Sequence, residues 1–270
     1  MVDCEWIVTN GIGGYASGTI VGVVTRRYHG VLVAALNPPL GRTVLVAKVD
    51  ESVSVGGDPV PLFANQWNTA SSPIEPNGFL HLVRFRLDGT MPVWSYEING
   101  ALLEKSIWMA PGSDTTYVRY EYRSGPRPLH LEAKVMANYR DFHQTTHAGD
   151  WRMAIEPVIG GVRVDAFEGA APFYLLSDRA TIEPRHDWYR NYFLRVEAFR
   201  GLDALDDNLY AAHAALDLRE RYEAALFEKA GVVGDERLSR LTLAADRFVV
   251  RRSVVHACKR ADPRVRMGVR

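Results

Sequence analysis

Cysteine is scarce: only Cys4 and Cys258 occur in 270 residues, one near each end of the chain. A secreted β protein of this size ordinarily carries more bridges, so a reducing, cytoplasmic compartment is expected. Long apolar runs are also missing. None approaches the roughly 18 residues needed to span a bilayer, and the opening Met1-Val-Asp-Cys-Glu-Trp-Ile7 lacks the basic and apolar stretches of an export signal. No membrane partner is expected. Charge of one sign is lacking too, because 32 Lys and Arg balance 32 Asp and Glu. No global field draws the chain to nucleic acid. The balance is nevertheless uneven: Arg251, Arg252, Lys259, Arg260, Arg264, Arg266 and Arg270 against Asp262 give residues 251–270 a charge of +6, which leaves −6 for the rest. The sequence contains no P-loop, no C-x-x-C pair and no G-x-S-x-G elbow, so phosphate cradling, dithiol redox chemistry and serine-elbow hydrolysis have no support.

What is present is alternation with a period of two. In the run 129–137, Leu129, Leu131, Ala133, Val135 and Ala137 share one face, while His130, Glu132, Lys134 and Met136 take the other. Thr116, Val118, Tyr120 and Tyr122 likewise oppose Tyr117, Arg119, Glu121 and Arg123, and Val83, Phe85 and Leu87 oppose Arg84 and Arg86. Such segments are half-buried strands. Gly56-Gly57, Asp88-Gly89, Asn99-Gly100 and Gly160-Gly161 supply the positive φ of tight hairpins between them. The expected fold is mainly β: a large antiparallel β-sandwich over residues 1–202, with no parallel βαβ rhythm.

From 203 the pattern changes. Leu205, Leu209, Ala212, Leu216, Leu226 and Phe227 recur near helical spacing, and Gly231 and Gly234 mark a break before a second helix over 235–251. Residues 203–252 are therefore predicted to be a short C-terminal helical segment. Residues 253–270 are basic, show no face that could dock, and are expected to be a disordered tail.

Three polar clusters are candidates for chemistry. Thr25-Arg-Arg-Tyr-His-Gly30 is dense in donors; Arg26, Arg27, Tyr28 and His29 suit sugar hydroxyls or an anion, or equally ion pairs beneath a turn. Asn138-Tyr-Arg140-Asp141-Phe-His143-Gln-Thr-Thr-His147-Ala-Gly-Asp150-Trp151 places His143 and His147 four apart. No glutamate lies between them as in H-E-x-x-H, so a polar network shaping a loop is expected rather than a metal centre. Arg185-His-Asp187-Trp188-Tyr-Arg-Asn-Tyr192 combines flat aromatic faces with a carboxylate, as sugar sites do. Gly11-Ile-Gly13-Gly14-Tyr15-Ala16 matches a dinucleotide pattern in form alone. The residues that follow are poor helix formers, and the first acid downstream is Asp50.

Taken together, Glu5-Trp-Ile-Val-Thr-Asn10-Gly-Ile-Gly-Gly-Tyr15-Ala-Ser-Gly-Thr19, Thr25-Arg-Arg-Tyr-His-Gly-Val-Leu-Val-Ala34 and Pro39-Leu-Gly-Arg42 resemble the opening of bacterial and archaeal glycogen debranching enzymes of the amylo-α-1,6-glucosidase type. The stretches 138–151 and 186–202 are similar to later parts of the same N-terminal domain. The resemblance implies a β-supersandwich followed by an (α/α)6 barrel that hydrolyses α-1,6-glucosidic branch points with two carboxylic acids and no cofactor. It also implies more strand between Tyr210 and Arg221 than the helical spacing suggests. Leu241–Val250 resembles the first barrel helix, after which the likeness ends, so no catalytic residue is carried onto this chain. The partners implied are glycogen or a branched α-glucan and the catalytic barrel. The candidate glucan-binding residues are Asn10, Tyr15, Arg26, Arg27, Tyr28, His29, Arg140, Asp141, His143, His147, Trp151, Asp187 and Trp188. The competing expectation is a stand-alone glucan-binding or structural module without catalysis.

Overall fold

The computed structural model describes residues 2–219 and 222–230. In chain order the strands are β1 (Glu5–Thr9), β2 (Tyr15–Thr19), β3 (Gly30–Asn37), β4 (Leu40–Ser54), β5 (Val60–Pro61), β6 (Ala64–Gln66) and β7 (Ile74–Asn77). A 3-10 turn (Gly78–His81) leads into β8 (Leu82–Asp88), β9 (Met91–Ile98), β10 (Ala101–Met109), β11 (Thr115–Ser124) and β12 (Leu129–Asp141). There follow β13 (Ala154–Val158), β14 (Gly161–Asp165), β15 (Phe173–Ser177) and β16 (Thr181–Phe193), one short helix α1 (Arg195–Phe199), then β17 (Leu205–Leu218) and β18 (Tyr222–Ala230).

These strands build an antiparallel sandwich. The first sheet runs β1-β2-β3-β4-β12-β17-β16 with β5 on the side of β4; the second runs β13-β14-β15-β18-β11-β10-β9-β8. The small β6–β7 pair stands apart. All four glycine signals fall at hairpin connections, β4–β5, β8–β9, β9–β10 and β13–β14. At the β9–β10 turn Asn99 and Gly100 both adopt positive φ, 51° and 80°, which suits the right-handed twist of the flanking strands.

The alternation in β12 sets the sandwich. Leu129, Leu131, Ala133, Val135 and Ala137 are at most 1% exposed and pack with Leu45, Val49 and Val53 of β4 against Leu103, Ile107, Val118 and Tyr122 of the second sheet. Each fully buried leucine of this kind contributes about 1.5–3 kcal/mol. Glu51 crosses the same interior, accepting hydrogen bonds from Tyr120 Oη at 2.7 Å and from Lys105. Beside it lies a cavity of about 60 Å³, lined in part by Trp6, His29, Trp94 and Lys105. The β8 alternation forms a strand, but Val83 and Leu87 stay 56% and 57% exposed because β8 is the outermost strand of its sheet.

The helical spacing read from Leu205 onward is corrected. Residues 205–218 form β17, which is inserted between β12 and β16, and 222–230 form β18, inserted between β15 and β11. Residues four apart, such as Leu205 and Leu209 or Ala212 and Leu216, share a face in a helix turn and in two strand pleats alike, and a register shift opposite Val135 and Met136 brings Leu209 and Leu216, seven apart, into the same core. Residues 206–212 are buried on both sides of the sheet, which erases the two-residue alternation that marks a strand. The strand expected from the resemblance between Tyr210 and Arg221 is thus present. The second helix over 235–251, the basic tail and Cys258 lie outside the described residues.

Candidate functional site

The first two polar clusters meet on the side of the first sheet turned away from the second, where Arg140 alternates with the core-packed Tyr139. The foundation there is the run Asp206-Asp207-Asn208 in β17, whose members are 0%, 3% and 0% exposed. Asn138 Nδ2 donates to Asn208 Oδ1 and to the Asp207 carbonyl, each at 2.9 Å, while Asn138 Oδ1 accepts from Thr146 Oγ1 at 2.7 Å. Asp206 accepts from the Thr146 N–H at 2.7 Å and from Arg140 Nη2 at 3.1 Å. Asp207 accepts from the backbone N–H groups of Ala148 at 2.9 Å and Asn191 at 2.8 Å. Burial pushes the Asp206 carboxyl above the ordinary carboxylate range, against the pull of Arg140. Three consecutive polar side chains of β17 therefore anchor the 138–151 stretch at Asn138, Arg140, Thr146 and Ala148, satisfying backbone groups that a loop over a sheet would otherwise leave unpaired.

On this foundation the first and second clusters meet. Arg140 Nη1 donates to the Arg27 carbonyl at 2.9 Å. Arg27 in turn donates to the His143 carbonyl, and Tyr28 Oη lies 3.1 Å from His143 Nδ1. Tyr28 packs edge to face with Phe142 and with His143, ring centres 5.5 and 5.4 Å apart, while Phe142 and His143 lie tilted against each other at 4.0 Å. Tyr15 Oη donates to the Tyr28 carbonyl at 2.8 Å, and partial burial lifts its phenol to about 12 despite the nearby Arg140 and Arg42. Helix α1 contributes the wholly buried Glu197, which accepts from the Arg27 N–H at 3.2 Å and pairs with the Arg27 guanidinium at 3.1 Å. The result is a rim of partly exposed Tyr28 beside exposed His143 and Asp141, backed by Arg27, whose side chain is only 13% exposed. Asp141 Oδ1 accepts from the His143 N–H at 2.8 Å and so fixes the turn.

The remaining candidates separate into other settings. His147, on the same loop, forms an exposed pair at 2.8 Å with Asp203 of the α1–β17 connection, and Thr145 donates to the same carboxylate oxygen at 2.6 Å. The Asp203 hydrogen bond raises the His147 imidazole above its ordinary value. Arg26 and His29 turn toward Glu5, at 2.6 and 3.4 Å. Asn10 is 2% exposed and donates to Asp114 at 2.7 Å and to the Ser113 carbonyl at 3.2 Å, clamping the β1–β2 turn to the second sheet. That turn is the glycine-rich run, with Gly13 at φ 110° close against Pro39. Trp151 donates its indole N–H to the Ala166 carbonyl at 2.9 Å and Trp188 donates to the Trp151 carbonyl at 3.0 Å. Both rings pack on the inter-sheet core. Asp187 is exposed on β16. Among the described residues no group of three or more His, Cys, Asp or Glu side chains is placed to hold a metal ion.

Sequence reasoning missed Asp203, Asp206, Asp207, Asn208 and Glu197. The available signal was two adjacent acids followed by an amide inside an apolar stretch, a costly arrangement to bury unless every group has a partner.

Fold and site together define an antiparallel two-sheet β module with a polar rim on one outer face. The family model for the N-terminal domain of glycogen debranching enzyme matches residues 4–225, and the chain belongs to that family. A comparison with curated proteins returns no match. Among the described residues no helix is long and apolar enough to cross a membrane.

Proposed function

We propose that this chain is the non-catalytic module of a cytoplasmic glycogen-degrading hydrolase, and that the rim of Tyr28 and His143, backed by Arg27, contacts α-glucan on its way to a catalytic barrel. The observation that supports this reading is the convergence of the 25–30 turn and the 138–151 loop. Tyr28 and His143 are 115 residues apart in sequence, yet they touch over a hydrogen-bonded base. Phenol and imidazole groups set at the edge of aromatic faces, held in place by the Arg27 guanidinium behind them, match the hydroxyl-rich rim and C–H faces of a sugar. The hydrolytic step belongs to two carboxylic acids of the barrel. The module itself extends through β18, since each sheet contains one of the last two strands.

Isothermal titration of the purified chain with maltoheptaose tests the reading. Millimolar or tighter binding is expected, weakened about tenfold by His143→Ala, a change of about 1.4 kcal/mol. An unaltered affinity in both His143→Ala and Tyr28→Phe would remove the rim from the glucan path. Release of glucose from a limit dextrin by the chain alone, abolished in Asp141→Asn, Asp150→Asn or Asp187→Asn, would overturn the non-catalytic assignment.

A further inference from the structure

A second surface occupies the same outward side of the first sheet and shares no residue with the rim. Trp67 follows β6 and lies over Tyr192 of β16, ring centres 4.3 Å apart. Its ring is 6.5 Å from that of Tyr189 and inclined to it by 36°. Tyr192 is 2% exposed, whereas Trp67 and Tyr189 remain partly open to solvent. Neither Trp67 nor Tyr189 belongs to the inter-sheet core, unlike Trp151 and Trp188.

The surroundings select the kind of ligand. Lys134 donates to Tyr189 Oη at 3.1 Å and stands 5.4 Å from that ring's centre, which places the ammonium toward the hydroxyl end of the ring. Tyr189 meets Tyr210 edge-on, and Tyr210 Oη lies 2.9 Å from His213 Nδ1. Arg185 is paired with Glu183 at 2.7 Å. Arg185 is thus paired and Lys134 is held by the Tyr189 hydroxyl, so what the surface offers a ligand is flat ring area bordered by hydroxyl, ammonium and imidazole groups. Those are the requirements of a neutral polyol with an apolar face.

The backbone is fixed for this purpose by the foundation that holds the rim. Asn68 donates its N–H to the Asn191 carbonyl at 2.9 Å, and Asn191, at φ 64°, donates its own N–H to Asp207. One buried carboxylate thereby sets both the 138–151 loop and the bulge that displays Tyr189.

We propose that Trp67 and Tyr189 form a stacking platform for a glucose unit of an α-glucan, a second subsite on the face that carries the rim. This rests on the glucan reading given above. The test is a titration of the full 270-residue chain with maltoheptaose, followed through the indole N–H signals of its six tryptophans. The Trp67 signal is expected to shift on binding, and Trp67→Ala and Tyr189→Ala each to weaken affinity at least tenfold. Trp67→Phe, which keeps a ring over Tyr192, is expected to retain most of the affinity. Tyr189→Ala removes a partly exposed side chain, which separates lost stacking from lost folding. Wild-type affinity in both alanine variants, together with loss in His143→Ala, would overturn the platform and leave the rim standing. Absence of maltoheptaose binding by the wild-type chain would overturn the glucan reading and the platform with it.

Discussion

Arg140 and Asp206 are 66 residues apart in sequence and meet at 3.1 Å, with side chains only 4% and 1% exposed. The pair does more than cancel two charges. Arg140 also reaches the Arg27 carbonyl and Asp206 also holds the Thr146 N–H, so the 25–30 turn and the 138–151 loop depend on it together. Removing one member leaves the other charged group buried without its partner, which costs about 3–5 kcal/mol. Asp206→Ala is therefore expected to lower the urea-unfolding free energy by that amount. A loss below about 1 kcal/mol, within the range of an exposed ion pair, would show that the pair is not what holds the loop.

Glu5 gives the fold an acid limit. The hydrogen bond from His29, then that from Arg26, hold its carboxyl at about 2, below the ordinary 4.5, against the opposing effect of partial burial. A depressed carboxylate contributes stability that is present above its ordinary value and lost as pH falls through the folded value. The stability difference between wild type and Glu5→Gln should thus be constant above about pH 5 and fade toward pH 2. A difference that does not change across this window would contradict the assignment.

His147 runs in the opposite direction. Its raised value means that the stabilisation from Asp203 is complete below the ordinary 6.5 and is lost as pH rises through the folded value. Proton resonances of the ring should report a titration midpoint above 6.5 in the wild type. In Asp203→Asn the midpoint should move down. Equal midpoints would mean that the pair does not form in solution.

Two glycines near hairpin turns should respond very differently to a methyl group. A Cβ on Gly161 would overlap the Leu175 carbonyl of the neighbouring strand, while one on Gly57 would meet nothing within 4 Å. Gly161→Ala is expected to cost about 1–3 kcal/mol, as overpacking does. Gly57→Ala should be close to neutral in the same thermal-unfolding measurement. A neutral Gly161→Ala would show that β14 can draw away from β15 without loss.

The sandwich was legible because most of its strands have one wet face and end in residues that only a tight turn uses. β12 is the clearest instance, with the five core residues of its run read correctly from spacing alone. β17 was illegible for the converse reason: a central strand covered on both faces at 206–212 shows no alternation, and its alanines carry little strand preference. The donor-rich clusters at 25–30 and 138–151 stood out as sequences, but their meeting depends on a strand order in which β3, β4, β12 and β17 are neighbours. Nothing local encodes that order. Asp206, Asp207 and Asn208 were hidden twice, first by the helical spacing around them and then by being ordinary surface residue types found inside. Trp67, alone in a segment rich in Ser, Thr and Asn, acquires meaning only when Tyr189 and Tyr192 arrive from more than a hundred residues away.

The positions of β17 and β18 also set an order of events during synthesis. Each is an interior strand, β17 separating β12 from β16 and β18 separating β15 from β11. A nascent chain that has emerged as far as Phe199 can form hairpins, but it has a gap in both sheets and unpaired edges on either side of each gap. Those edges are the groups that pair wrongly with other chains. The module can therefore close only after residue 230 has left the ribosome, and until then it is a natural client for any chaperone that shields open strands.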